Sequence, residues 1–282
     1  MVRYILGIIA TLSILFLLAI TAMLALNALP FFGEYSLNDF LFGDKWRPAD
    51  EPPMFGILPL LWGSLLVTAV AMLFSLPFGI ATALYLHGVA PAKVREVIKP
   101  AIELLGSIPS VVYGLLGLTL LAPFAQKLFH LQVGQCAAVA GFVLGIMAIP
   151  IVISVSEDAL SAVPKTLWEA ALALGSTKWE ALTKVILPAA KSGIWAAVLL
   201  SFGRAIGETM TVLMVAGGSA QIKLSPFDTV RPMTTTIAAE MGETPVGSVH
   251  FHALFAVGFM LFIITLITNL IASKYAKRTD TT

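Results

Sequence analysis

An arginine and a glutamate four residues apart, Arg204 and Glu208, lie inside an otherwise apolar stretch running from Ser192 to Ala216. Counted from Ser192 at ~1.5 Å per residue, Arg204 stands about 18 Å along a helix, near the middle of a membrane. A charge at that depth costs at least about 2.5–3.5 kcal/mol on insertion scales, so it needs a reason. Residues four apart share a helix face, which puts the two side chains within expected pairing distance. Two readings fit. One is a structural ion pair that holds the bundle or a partner interface. The other is an oxyanion site, because a guanidinium offers a planar fork of donors. Glu208 would then hold Arg204 while the site is empty, or accept a hydrogen bond from a protonated oxyanion. Hydrogen phosphate carries such a proton at neutral pH, and sulfate does not. Thr209, next in the chain, joins Arg204 and Glu208 as a substrate-path candidate.

A second set of polar groups stands at the ends of apolar stretches. Glu103 and Ser107 fall in the third, and Glu157 and Asp158 close the fourth. All four are candidates for an inner gate, with interfacial solvation or pairing to nearby lysines as the plainer alternative. Thr234 to Thr236 could bring hydroxyls to an outer vestibule, or serve surface turn chemistry. His250 and His252 are two apart and lack an acid or cysteine to complete a metal set, so neither a metal nor a cofactor is expected. Cys136 is the only cysteine and reads as an ordinary helix residue. No paired aspartates or His-Glu-x-x-His set lie in the spans, which argues against an intramembrane hydrolase. No Gly-x-x-x-x-Gly-Lys-Ser/Thr run occurs, so ATP binding in the P-loop manner is excluded.

The elements that must position these groups are membrane helices. Of the 282 residues, 58% are hydrophobic and 12% charged, against about 25% charged in soluble domains. Mean hydropathy is +0.93. No basic tract supports nucleic-acid binding. Six segments meet the length of about 20 apolar residues: residues 4–26, 57–86, 101–125, 135–155, 192–216 and 251–273. The fold class is all-α, a polytopic membrane protein with six transmembrane helices. The first segment follows Arg3 but is too long for a signal peptide, so it is expected to be retained. Pro77 and Gly79 predict a tilt or kink in the second. Basic residues set the orientation. With both termini inside, the inner loops collect Arg3, Lys93, Arg95, Lys99, Lys165, Lys178, Lys184, Lys191, Lys274, Lys277 and Arg278, while the outer loops hold Lys45, Arg47, Lys127, Lys223 and Arg231. Both termini and the 156–191 loop are therefore expected on the cytoplasmic side. The tryptophans fall mostly near span ends, as interfacial anchors would.

That loop has its own pattern. Pro164 suits the start of a short helix over residues 165–174, on which Leu167, Ala170, Ala171 and Leu174 form one apolar face. Gly175 is a helix stop. A second helix runs from Lys178 to Leu187 and ends at Pro188. Such a hairpin either docks into a partner's groove or packs only on its own bundle. The run Glu169-Ala170-Ala171, three residues, Gly175, nine residues, then Val185-Ile186-Leu187-Pro188 resembles the signature loop of binding-protein-dependent ABC importer permeases, with Val185 where that pattern has Ile. The resemblance implies the type I ABC importer permease fold. It also implies that residues 165–176 are a coupling helix docking on a cytoplasmic ABC ATPase dimer, with Gly175 as the hinge.

Within that group the chain resembles the PstC-type phosphate importer permeases over roughly residues 55–273. The matching text is Phe55-Gly56 ahead of Pro59-Leu60, Glu103 to Gly114, Ser156 to Leu160, Arg204 to Met210 and Thr234 to Glu243. Gly106 and Ser107 stand where Ala-Gly is common. The resemblance implies inward transport of inorganic phosphate, a homologous PstA-type second permease, and an extracytoplasmic phosphate-binding protein. On this reading residues 1–56 form a first helix with an outer loop, residues 57–273 the permease domain, and residues 274–282 a cytoplasmic tail in the bacterial inner membrane. The chain itself does no covalent chemistry. An ion-coupled secondary carrier is the competing class, since intramembrane Arg and Glu suit it too.

Overall fold

The computed structural model describes residues 2–277, most of them helical. Residues 278–282 of the expected tail lie outside the described residues. Helix α1 (Val2–Glu34) is followed by the short α2 (Leu37–Phe42) and a two-stranded antiparallel ribbon, β1 (Trp46–Arg47) with β2 (Met54–Phe55), in register Trp46↔Phe55. Helix α3 (Leu58–Gly88) passes through Pro77 without ending. Next come α4 (Ala92–Ser107), α5 (Ser110–Leu116), a π-helical turn (Gly117–Leu121), α6 (Ala122–Leu128) and α7 (Ala137–Ser161). The hairpin is α8 (Lys165–Ala173), α9 (Lys178–Ala181), a second π-helical turn (Leu182–Ile186) and α10 (Leu187–Ala189). Helix α11 (Lys191–Ile206), α12 (Met210–Val215), α13 (Met233–Glu240) and α14 (Val249–Lys277) complete the order.

Among the described residues five helical runs are long and apolar enough to cross a membrane, and a sixth span exists if the pair Lys178–Ala189 and Lys191–Ile206, bent by 70°, is counted as one. Two of the six expected segments need correction. The third crosses at Ser110–Leu128, not at 101–125. Residues 92–107 form the separate helix α4, which has no buried residue. The break falls at Ile108, in extended backbone (φ −65°, ψ 129°), as the ring of Pro109 requires of the residue before it. The fifth segment is also interrupted: α11 stops at Ile206 and the chain resumes helix at Met210.

Both π-helical turns have the same local cause. Each is followed, one residue on, by a proline: Pro123 after Ala122, and Pro188 after Leu187. A proline inside a helix clashes with the carbonyl four residues back and donates nothing. Widening the preceding turn relieves that crowding, and the amides of Ala122 and Leu187 donate five residues back, to Gly117 O and Leu182 O.

Helices α3 and α7 form the centre of the bundle, and small residues bring them together. A Cβ on Gly79 would lie 2.5 Å from Val152 Cγ1, and one on Gly141 2.5 Å from Val70 Cβ and 2.9 Å from Val67 O. Membrane helices lack a hydrophobic drive to associate, so close packing of this kind holds them. Three buried clusters stack along the bundle. Leu86, Leu160, Leu182 and Ile186 pack at the hairpin end. Val67, Val143, Leu144 and Val215 fill the middle. Phe31, Phe40, Phe55, Met233 and Leu254 pack at the opposite end, where the ribbon sits.

Candidate functional site

Arg204 occupies the last turn of α11, where a cation suits the negative end of the helix dipole. Its side chain is exposed on the surface of the chain, while the adjacent Ala205 and Ile206 are buried. Ending α11 at Ile206 undoes the expected pairing with Glu208. No ion pair among the described residues joins the two. Residues four apart share a face only in a continuous helix, and the chain turns at Gly207 instead. Glu208 is half-buried and held from two directions. Its Oε1 accepts the backbone N–H of Thr211 at 3.5 Å, and its backbone carbonyl accepts the hydroxyl of Thr234 at 2.9 Å. Thr209 precedes α12, half-buried, with Oγ1 donating to Gly207 O at 3.4 Å. Arg204, Glu208 and Thr209 thus border one interruption in a membrane-depth helix.

The three threonines are buried, not superficial. Thr235 and Thr236 donate back to Pro232 O, so only Thr234 reaches the interruption. Thr211, fully buried, donates to Ser110 O at 2.8 Å and ties α12 to the start of α5.

At the hairpin end, α8 is the first short helix expected, ending one residue early, while the second expected helix, Lys178 to Leu187, is divided into α9, the π-helical turn and α10 and runs on to Ala189. Gly175 takes φ +88°, the left-handed region that favours glycine. The amide of Gly175 donates to Leu172 O at 3.0 Å and that of Ser176 to Ala171 O at 3.2 Å, which is the Schellman closure of a helix end. Thr177 and Glu180 then cap α9 reciprocally. The expected single apolar face divides in two. Ala171 is buried and Trp168 packs against the bundle. Leu167, Ala170 and Leu174 point outward with Glu169, and Leu174 is 88% exposed. Leu187 is half-buried and Pro188 exposed.

The candidate gate residues are only partly brought together. Glu157 is 8% exposed, and both its carboxylate oxygens lie 3.2 Å from Lys99 Nζ. Glu103 borders the same 220 Å³ cavity between α4 and α7. Asp158 is exposed, and Ser107 donates only to Leu104 O at 2.7 Å. For Glu157 the lysine pairing weighed from sequence is what the structure contains.

A further polar cluster, at the end opposite the hairpin, escaped the sequence. Glu240 accepts from Arg231 at 2.6 Å and from Trp46 Nε1 at 3.0 Å, and its Oε2 lies 2.9 Å from His250 Nε2. Burial pushes the Glu240 carboxyl up. Bonds to His250 and Trp46 and the Arg231 charge outweigh this and hold it below its ordinary value. Trp46 is buried and tethers the ribbon to α13, and the half-buried Trp62 donates Nε1 to Lys223 O at 2.7 Å. His252 is likewise engaged, with Nδ1 2.7 Å from Asn27 O.

Comparison with known proteins places this geometry in context. The family model described as "Binding-protein-dependent transport system inner membrane component" matches residues 75–281. The probable ABC transporter permease protein YqgH of Bacillus subtilis is 38% identical over 262 residues, covering 92% of this chain and 85% of that protein. The phosphate transport system permease protein PstC of Mesorhizobium japonicum is 36% identical over 260 residues, covering 86% and 79%. Among solved structures, a chain of a bacterial alginate ABC transporter superposes with a TM-score of 0.68 at 16% identity, covering 99% of this chain and 96% of that one. A chain of the inward-facing MetNI methionine ABC transporter gives 0.60 at 20% identity, covering 77% and 93%.

Proposed function

We propose that this chain, which belongs to the family of binding-protein-dependent transport system inner membrane components, is the phosphate-conducting permease subunit of an ATP-driven importer. One observation carries the reading: the α8–α9 hairpin. It is a glycine-closed projection that keeps Ala171 and Trp168 inward and offers Leu167, Ala170 and Leu174 outward. An outward apolar face on a charged loop, away from any span, is suited to a soluble partner's groove. The chain lacks a P-loop of its own, so that partner is a cytoplasmic ATPase dimer. This orients the hairpin, and with it both termini, toward the cytoplasm, and the Glu240 end toward the outside. An ion-coupled carrier has no use for such a projection.

The substrate follows from the interruption after α11. Arg204 stands exposed on the chain, so a guanidinium at membrane depth awaits a counterion from the translocation path. Glu208 beside it distinguishes an oxyanion that still carries a proton. The likeness to PstC proteins supports phosphate. The path is completed by a homologous second permease, and an extracytoplasmic phosphate-binding protein delivers to the outer face. ATP binding and release shift the pair of permeases between inward- and outward-facing states, and the difference in nucleotide contacts between the two states drives transport.

Arg204→Gln tests the substrate assignment. In the assembled importer it is expected to abolish phosphate uptake while leaving the ATPase bound, and Glu208→Gln to narrow the preference for phosphate over sulfate. Normal uptake by Arg204→Gln would sink the anion-site assignment. Loss of folded protein would point to a structural role instead.

A further inference from the structure

We propose that the Lys99–Glu157 ion pair is a mechanical relay that links the hairpin to Glu208. The proposal rests on the ATPase-coupled reading above. Glu157 stands in the penultimate turn of α7, and only Ala162 to Pro164 separate that helix from α8. Displacement of the hairpin therefore acts first on the end of α7 that carries Glu157. The carboxylate is nearly sealed from solvent, and Lys99 is the cation beside it.

Lys99 belongs to α4, a helix with no fully buried residue. Two basic side chains fasten it by polar bonds to its neighbours. Arg95 donates from Nε to Leu86 O at 2.9 Å and from a terminal nitrogen to His87 O at 3.1 Å, closing the end of α3. Lys99 binds Glu157 on α7. A 220 Å³ cavity lies between α4 and α7 at this point, so the pair bridges two helices that are not tightly packed there. Polar tethers across a loosely filled gap can shift without unpacking a core.

The far end of α4 leads directly to the interruption. Ile108 and Pro109 form the elbow to α5, and Tyr113 Oη donates back to Leu105 O at 2.9 Å, which braces that elbow. The carbonyl of Ser110, at the start of α5, accepts the hydroxyl of Thr211 at 2.8 Å. Thr211 in turn donates its amide to Glu208. A continuous series of chain segments and polar contacts thus runs from α8 along the end of α7 to Glu157, across to Lys99, along α4 to Ser110, and through Thr211 to Glu208. Contiguous elements of this kind are the physical means by which two sites can be coupled. Lys99 is a positioning residue here, since nothing places it against substrate.

The test separates relay from scaffold by removing both charges at once. Deleting one partner leaves a buried charge uncompensated, whereas exchanging both for apolar residues of similar volume is often neutral or stabilising. The double variant Lys99→Met/Glu157→Leu is placed in the complete importer in liposomes, with binding protein, ATP and radiolabelled inorganic phosphate. Assembly is expected to be unchanged, while phosphate carried per ATP hydrolysed falls about five- to tenfold. The charge-exchanged variant Lys99→Glu/Glu157→Lys is expected to recover most of that loss. Wild-type phosphate-to-ATP stoichiometry in the apolar pair overturns the relay. So does failure of the apolar pair to assemble, which would make the pair a scaffold. Failure of the wild-type chain to retain an ATPase would instead refute the reading on which the relay rests.

Discussion

Gly175 is where backbone conformation and partner docking can be separated experimentally. Its φ of +88° lies in the left-handed region, and a Cβ built there meets nothing within 4 Å. Gly175→Ala therefore adds no clash, and its cost is confined to the backbone, about 1–2 kcal/mol for a non-glycine residue in that region. The alternative open to the chain is to abandon the left-handed turn. That would forfeit the bonds from Gly175 to Leu172 O and from Ser176 to Ala171 O and swing α8 relative to α9. Every 1.4 kcal/mol is tenfold in an equilibrium, so the ATPase should bind the Ala variant about 5- to 30-fold more weakly. Gly175→Asn carries a larger side chain but tolerates the left-handed region far better, and should lose much less. Titration of purified ATPase onto the detergent-solubilised permease, followed by fluorescence anisotropy, measures all three. Equal losses for Ala and Asn would show that side-chain bulk at the contact, and not backbone conformation, governs docking.

Two further outcomes concern the rest of the bundle. Trp46→Phe removes one donor from the half-buried Glu240 and should lower stability by about 1–3 kcal/mol, read as a lower thermal midpoint in detergent with Arg204-dependent uptake retained. Because the Glu240 carboxyl is held below its ordinary value of 4.5, its contribution is present above that pH and is lost as pH falls through the folded value. Glu240→Gln should therefore flatten the acid limb of the stability profile, and an unchanged limb would contradict the network's role. Gly141→Ala drives a methyl into Val70 and Val67 O and should cost about 1–3 kcal/mol through overpacking, seen as reduced yield of monodisperse protein, whereas an unchanged yield and midpoint would contradict the close approach of α3 and α7.

The spans that sequence reading located well are those whose apolar run and helix coincide. Residues 57–86, 135–155 and 251–273 correspond to Leu58–Gly88, Ala137–Ser161 and Val249–Lys277. The hairpin was legible for a local reason: Pro164, Gly175 and Pro188 punctuate it at fixed places. The third segment misled because hydropathy counts residues without regard to face. Ile102 turns toward the bundle, whereas Leu104 and Leu105, just before the break at Ile108, are exposed. Summed with the helices that begin at Ser110, they extend the apparent span back into α4. The signal that could have separated α4 from α5 was Pro109, which bars helix at Ile108. Gly207 likewise marks the end of α11, and only a helix continuous through it would bring Arg204 and Glu208 onto one face. The Glu240 cluster was out of reach for another reason. Trp46 and Glu240 are 194 residues apart in sequence, and no local pattern announces such a contact.

The two prolines behind the π-helical turns have a geometric consequence. A widened turn accommodates one residue more than an α turn, and one residue corresponds to about 100° of rotation. Pro188 therefore acts as a phase marker in the chain. It stands in α10, ahead of the 70° bend that opens α11, and the turn it widens sets the azimuth at which the chain enters that bend. Closing the turn to α geometry would advance the angular register of the chain entering the bend by roughly a quarter revolution. The heading of the helix that carries the membrane-depth guanidinium is thus set before that helix begins, by a residue without a charge.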